Sequence, residues 1–153
     1  MRDIRFRAWD KEAERMIYSA QQYDLYYFEF DEGKLYCFYI NENSYSDYID
    51  DSPEPHNEKI NNIMQFTGLL GKQGKEIYEG DILDFSVFDY NGRDTQHKGC
   101  VVYDGSRFMV WKKLDDEFYG SDGGFDLDWL LSQNNEAEVI GNIWENPGLI
   151  MVE

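Results

Sequence analysis

Two histidines, His56 and His97, and two cysteines, Cys37 and Cys100, are the side chains of this chain best suited to nucleophilic or metal chemistry. A Ser/His/Asp or Cys/His arrangement needs a base held in a fixed hydrogen bond to its nucleophile. His56 follows Pro53 and Pro55 in a polar stretch that is poorly built to hold such a geometry. His97 falls in a loop after Asn91-Gly92, three residues before Cys100, and reads as a surface histidine beside a buried thiol. Neither pair has the spacing of a zinc finger. There is no Walker loop and no G-x-G-x-x-G.

Carboxylates are abundant, and Asp115, Asp116, Glu117, Asp122, Asp126 and Asp128 crowd one Gly-rich stretch. Oxygen donors of this kind suit Ca²⁺ or Mg²⁺, but the spacing departs from an EF-hand loop. The reading is a solvated loop, with Asp126 starting a short helix. The pairs Glu136/Glu138 and Asp126/Asp128 could do acid–base work or imitate a step of phosphates, yet each reads as a plain polar face. Arg5 and Arg7, with Trp9 beside them, form a small cationic strip that could touch phosphate. Their simpler role is to neutralise nearby carboxylates. No catalytic, cofactor-binding or metal residue is assigned, no cofactor is expected, and direct binding to duplex DNA is not expected.

The elements that must position these groups follow from composition and pattern. The chain has 153 residues, the size of one domain with a small appendage. Lys and Arg number 14 against 31 Asp and Glu, a formal charge of −17, which repels nucleic-acid phosphates and anionic membrane surfaces. A content of 42% hydrophobic and 17% aromatic residues argues for folding despite that charge. No secretory apolar segment follows Met1, and no stretch approaches the ~20 apolar residues that span a bilayer. The expectation is a soluble cytoplasmic protein with no membrane association.

Residues 1–40 read as β-hairpins. Ile4, Phe6 and Ala8 alternate with Arg5, Arg7 and Trp9, the period-two mark of a strand with one buried face. Arg15–Tyr18 returns, and a second hairpin over 23–40 turns at Asp31-Glu32-Gly33-Lys34. Residues 41–59, acidic and Pro-containing, read as an exposed linker. Residues 60–153 read as a barrel domain. Its strands are Met64–Leu69, Ile82–Phe88 with Leu83, Phe85 and Val87 inward, a hairpin of Cys100–Tyr103 and Arg107–Trp111 around Asp104-Gly105, and Glu136–Ile143. Leu127, Leu130 and Leu131 mark one short helix over about 126–133, ended near Asn134-Asn135.

Four segments together resemble the YopX family of phage- and prophage-encoded proteins. They are Arg5-Phe6-Arg7-Ala8-Trp9-Asp10, Met64-Gln65-Phe66-Thr67-Gly68-Leu69, Gly74-Lys75-Glu76-Ile77-Tyr78-Glu79-Gly80-Asp81-Ile82, and Val139-Ile140-Gly141-Asn142-Ile143-Trp144-Glu145-Asn146-Pro147. Phe66 and Trp144 stand where the family would have tyrosine. The resemblance implies a mainly β fold with an SH3-like small barrel in the C-terminal part. It transfers no activity and no catalytic residue. Physically, Gly68, Gly74, Gly80 and Gly141 read as turn or packing positions, Ile77, Ile82, Ile140 and Ile143 as core, and Asp81 as an acceptor for turn amides. The expected role is a non-catalytic accessory protein that binds a protein partner or a second copy of itself. An acidic mimic of nucleic acid that occupies a DNA-binding protein is the alternative.

Overall fold

The computed structural model describes residues 1, 3–40, 58–88, 90–112, 124–133 and 136–150. The 41–57 part of the expected linker lies outside the described residues, as do His56, Asp115, Asp116, Glu117, Asp122 and the helix end at Asn134-Asn135. The chain divides into two compact units. One is Arg5–Gln65; the other takes Met1–Ile4 and the chain from Phe66 onward. The fold is mainly β, of the small-barrel kind, with a single α-helix among the described residues.

In the Arg5–Gln65 unit, β1 (Phe6–Asp10) and β2 (Arg15–Tyr18) form the first hairpin, with Asp10 opposite Arg15. The second joins β3 (Tyr26–Asp31) to β4 (Lys34–Tyr39), and β5 (Glu58–Ile60) adds to its free side. Glu32 and Gly33 make the two-residue loop with φ of 49° and 78°. Positive φ at both positions is the twist that a tight hairpin requires. Glu58 and Lys59, placed by pattern at the end of the acidic linker, are the first residues of β5. Ala8, Ile17 and Cys37 make the core, with Tyr26, Phe28, Ile60 and Ile63 against them.

One expectation for β1 fails. Alternation predicted a single buried face, but Arg7 and Trp9 are buried along with Ala8 and Asp10, while Ile4 is exposed. Both edges of the strand are paired, β2 on one side and the Ile63–Gln65 part of β6 (Ile63–Leu70) on the other. It is an interior strand, and Arg7 cannot contribute to a surface cationic strip.

From Phe66 onward, β6 continues against β7 (Glu76–Tyr78). A five-stranded antiparallel sheet follows, ordered β11-β10-β9-β8-β12. Its members are β8 (Asp81–Phe88), β9 (Asp94–Asp104), β10 (Arg107–Trp111), β11 (Gly124–Asp126) and β12 (Glu138–Asn142). Leu83 and Phe85 are buried and Val87 packs beside them, as expected. They meet Ile77, Val101, Val110, Leu127, Leu130 and Ala137. Each large side chain so buried contributes on the order of 1.5–3 kcal/mol. The opposite face is also covered, since Ile82 and Cys100 pack with Ile150 and, at the margin, Ile140 and Ile143.

Three local readings shift. The β9–β10 loop is Gly105-Ser106, with Asp104 paired to Arg107, so Gly105 alone takes positive φ, at 63°. The residues after Asn91-Gly92 are strand rather than loop, which lengthens β9 back to Asp94. The last strand is shorter than 136–143. Helix α1 (Leu127–Gln133) falls where its leucines placed it. Seven residues cannot sustain a helix alone. Buried Leu127 and Leu130 anchor it, and the Asp126 carboxylate accepts from the Trp129 amide at 3.0 Å.

Gly99 marks a tight approach within this sheet. A Cβ there would lie 2.5 Å from Val110 Cγ1 and 3.1 Å from the Trp111 carbonyl. Gly99→Ala is expected to cost about 1–3 kcal/mol through overpacking, whereas Gly148→Ala, with open space around it, should stay within about 0.5 kcal/mol. Urea denaturation of the two variants checks this.

Candidate functional site

The residues marked by pattern as special fall into two places, one in each unit. In the unit from Phe66 onward they surround the turn between β7 and β8. Asp81 is 2% exposed, and its Oδ2 accepts from the Tyr78 amide at 2.8 Å. Gly80, at φ 79°, donates its amide to Val101 O at 2.8 Å and accepts from the Ile143 amide at 2.9 Å. Thr67 Oγ1 donates to Ile77 O at 2.8 Å, and the Phe66 and Tyr78 rings lie 5.3 Å apart. Gly68, at φ 83°, sits where the β6–β7 register slips. Gly74 closes a 3-10 turn over Lys72–Gly74.

The C-terminal motif joins the same place by strand register, Asn142 opposite Asp81 and Gly141 opposite Ile82. Asn142 Oδ1 accepts from the amides of Trp144 and Glu145, each at 3.0 Å, and its Nδ2 donates to Glu145 Oε2 at 2.6 Å. Its own amide donates to Asn146 Oδ1. A Cβ on Gly141 would fall 2.4 Å from that oxygen, so glycine is required there. Pro147 opens the 3-10 turn that follows. These residues hold backbone; their polar atoms are turned inward.

The candidate chemical pairs are separated. His97 lies on β9 opposite Phe85, and a three-residue offset along a strand sends Cys100 to the other face. His97 Nε2 is 2.9 Å from Thr95 Oγ1. Burial, then the Lys112 charge, holds its pKa below the ordinary imidazole value. Cys100 is buried in the other cluster. Asp126 ends β11 and Asp128 lies in α1, so they are not a strand pair; Glu136 precedes β12, which Glu138 opens. Asp126 is also 3.5 Å from Arg107, and Glu138 is 4.0 Å from Lys72.

The Arg5–Gln65 unit holds a candidate binding site, a cavity of about 600 Å³ walled by Trp9–Ala13, Tyr26, Tyr39 and Glu58–Asn62. That volume is in the range of ligand sites. Asp10 organises it. Asp10 Oδ1 accepts from the amides of Glu12 (2.9 Å) and Ala13 (3.1 Å), closing the β1–β2 turn, and Oδ2 accepts from Tyr26 Oη at 2.6 Å. Burial first, and then the Asp10 hydrogen bond, hold the Tyr26 phenol well above its ordinary pKa. Beneath, the Cys37 thiol is pushed up to about 12 by burial and then by the Asp10 charge, which removes it as a nucleophile. Tyr39 stands against Tyr26 with ring centroids 5.3 Å apart.

Of the N-terminal motif only Trp9 and Asp10 line this cavity. Arg7 is buried and Ala8 belongs to the core below. Sequence reasoning missed Tyr26, Tyr39 and Glu58. The first two were read only as strand aromatics, and Glu58 was hidden in the acidic stretch that pattern assigned to a linker.

A small-barrel unit and a hairpin unit with an aromatic, acidic cavity define a mainly β, two-unit protein. The YopX protein family model matches residues 5–151, and the chain belongs to that family. A crystal structure of protein EF1440 from Enterococcus faecalis is 24% identical over 98% of this chain and 99% of that one, with a TM-score of 0.47. No curated protein matches the chain. Among the described residues, no helix is long and apolar enough to cross a membrane.

Two measurements test this account of Asp10. Asp10→Ala strands two amides and a phenol, and should cost about 2–4 kcal/mol, since single hydrogen bonds to charged groups are worth roughly 1.5–3. Tyr26 and Cys37 both have raised folded values, so above the unfolded pKa the unfolded state binds fewer protons and stability falls with pH. Their contribution is intact below about pH 9 and declines as pH rises past the ordinary values of 9.0 for the thiol and 10.0 for the phenol. Tyr26→Phe should flatten that alkaline slope in denaturant melts between pH 9 and 11.

Proposed function

We propose that this protein is a phage- or prophage-encoded accessory protein of the bacterial cytoplasm that acts by binding a protein partner, without catalysis. We assign the unit from Phe66 onward an SH3-like barrel that serves as its scaffold. The observation that carries the reading is the cavity between β1 and the β3–β5 hairpin sheet, within the Arg5–Gln65 unit. Its aromatic rings and carboxylates offer recognition, while its most reactive groups are committed to structure. Asp10 is held by three donors, and the Cys37 thiol is raised and buried. Family membership is compatible with an accessory role and brings no activity of its own.

The rival reading as a nucleic-acid mimic needs carboxylates in a continuous row. The two pairs that would supply a phosphate-like step, Asp126/Asp128 and Glu136/Glu138, are split between different elements. Capture from bacterial extract on the immobilised full chain discriminates the two. The expected result is a stoichiometric partner retained when salt rises from 0.15 to 0.5 M and reduced at least fivefold by Tyr39→Ala in the cavity wall. A DNA-binding protein whose capture collapses steeply with salt and ignores Tyr39→Ala would replace the proposal with mimicry.

A further inference from the structure

We propose that the Trp9–Tyr39 cavity receives a cationic side chain, arginine or lysine, from a basic segment of a protein partner. This rests on the binding-module reading and adds the chemistry of the ligand. The charge balance of the walls carries it. Asp10, Glu12 and Glu58 face Lys11 and Lys59 among the lining residues, but Lys59 does not act there. The β5 register sets Lys59 opposite Phe38 and Glu58 opposite Tyr39. Alternation therefore sends Lys59 to the far side of the sheet, where its ammonium lies 4.4 Å from the Tyr36 ring centroid and 2.8 Å from Asp31. Among the lining residues three carboxylates then stand against the Lys11 ammonium, with the Arg15 guanidinium over the Tyr26 ring as a second nearby cation.

The same unit shows that its rings take cations. The Arg15 guanidinium lies 5.5 Å from the Tyr23 ring centroid and 5.6 Å from that of Tyr26. Lys59 is placed likewise over Tyr36. Such contacts strengthen when partly desolvated, as in a cavity. Tyr39 and Tyr26 supply aromatic wall on the cavity side, and Glu12 and Glu58, both exposed at its rim, supply counter-charge. The net charge of −17 opposes a second copy of the chain as occupant and draws a basic segment in. An arginine or lysine stem fits the apolar part of the wall while its head meets the carboxylates.

The test uses the full chain and a fluorescein-labelled tetra-arginine peptide, followed by anisotropy at 0.15 M salt. Saturable one-site binding is expected, weakened about tenfold or more by the exposed double variant Glu12→Gln/Glu58→Gln and similarly by Tyr39→Leu. Glu136→Gln/Glu138→Gln removes the same charge elsewhere and should change affinity less than twofold; thermal melts confirm that each variant is folded. Equal weakening by both double variants would mean bulk attraction to an acidic surface and would overturn the proposal. Absence of saturation up to millimolar peptide would overturn it too, yet leave the binding-module reading standing if the extract partner is still lost with Tyr39→Ala. N-acetyl-arginine amide as competitor locates the recognised group: displacement of the peptide supports a side-chain site, and failure to displace at a hundredfold excess over the peptide's Kd counts against it.

Discussion

A carboxylate that bonds to a backbone amide three residues before it decides the geometry of the larger unit. Asp81 is nearly inaccessible, and a polar group so placed is tolerable only when hydrogen-bonded. Its bond to the Tyr78 amide fixes the β7–β8 turn, and the positive φ of Gly80 lets one peptide reach both Val101 and Ile143. That single turn thereby binds β7, β8, β9 and the end of β12. The core of Ile77, Leu83, Phe85 and Val101 is assembled around strands whose register it sets. Thr67 and Asn142 extend the same logic, each using a side chain to satisfy backbone that the sheets leave open.

Asp10 is the counterpart in the smaller unit, with a different consequence. It too is buried and accepts turn amides, but its second oxygen reaches the Tyr26 phenol on another hairpin. A turn-closing residue thus also sets one wall of a cavity. Because this carboxylate is already engaged, what remains for a ligand is its charge, together with the open carboxylates at the rim and the aromatic walls.

How much of this was legible depended on range. Gly33, Asp31 and the aromatic alternation around them identify the second hairpin from neighbours alone, and Leu127 with Leu130 places the helix to within a residue. Local pattern failed at β1, because alternation reports a half-buried strand and cannot reveal that pairing on both edges makes the strand interior. It failed at His97 for a related reason: the polar residues Asp94–Lys98 are drawn into strand by pairing with β8 along its whole length. The role of Asp81 was readable, since Gly-Asp after a strand signals an amide-accepting turn. The cavity was not, because Trp9, Tyr26, Tyr39 and Glu58 come from four strands whose meeting is a property of register.

The excess of acid finds its physical place in this arrangement. The surface ion pairs Lys59–Asp31, Lys72–Glu138 and Arg107–Asp126 are largely exposed, and such pairs are worth about 0–1 kcal/mol each. Stability therefore rests more on the apolar clusters and on inward carboxylates such as Asp10 and Asp81 than on these pairs. The rings around them behave differently from ordinary core aromatics. Tyr23, Tyr26 and Tyr36 already hold guanidinium or ammonium groups of the same chain over their faces. A surface that has drawn its own scarce cations onto aromatic rings, and keeps carboxylates beside a further aromatic wall, is complementary to positive charge arriving from outside.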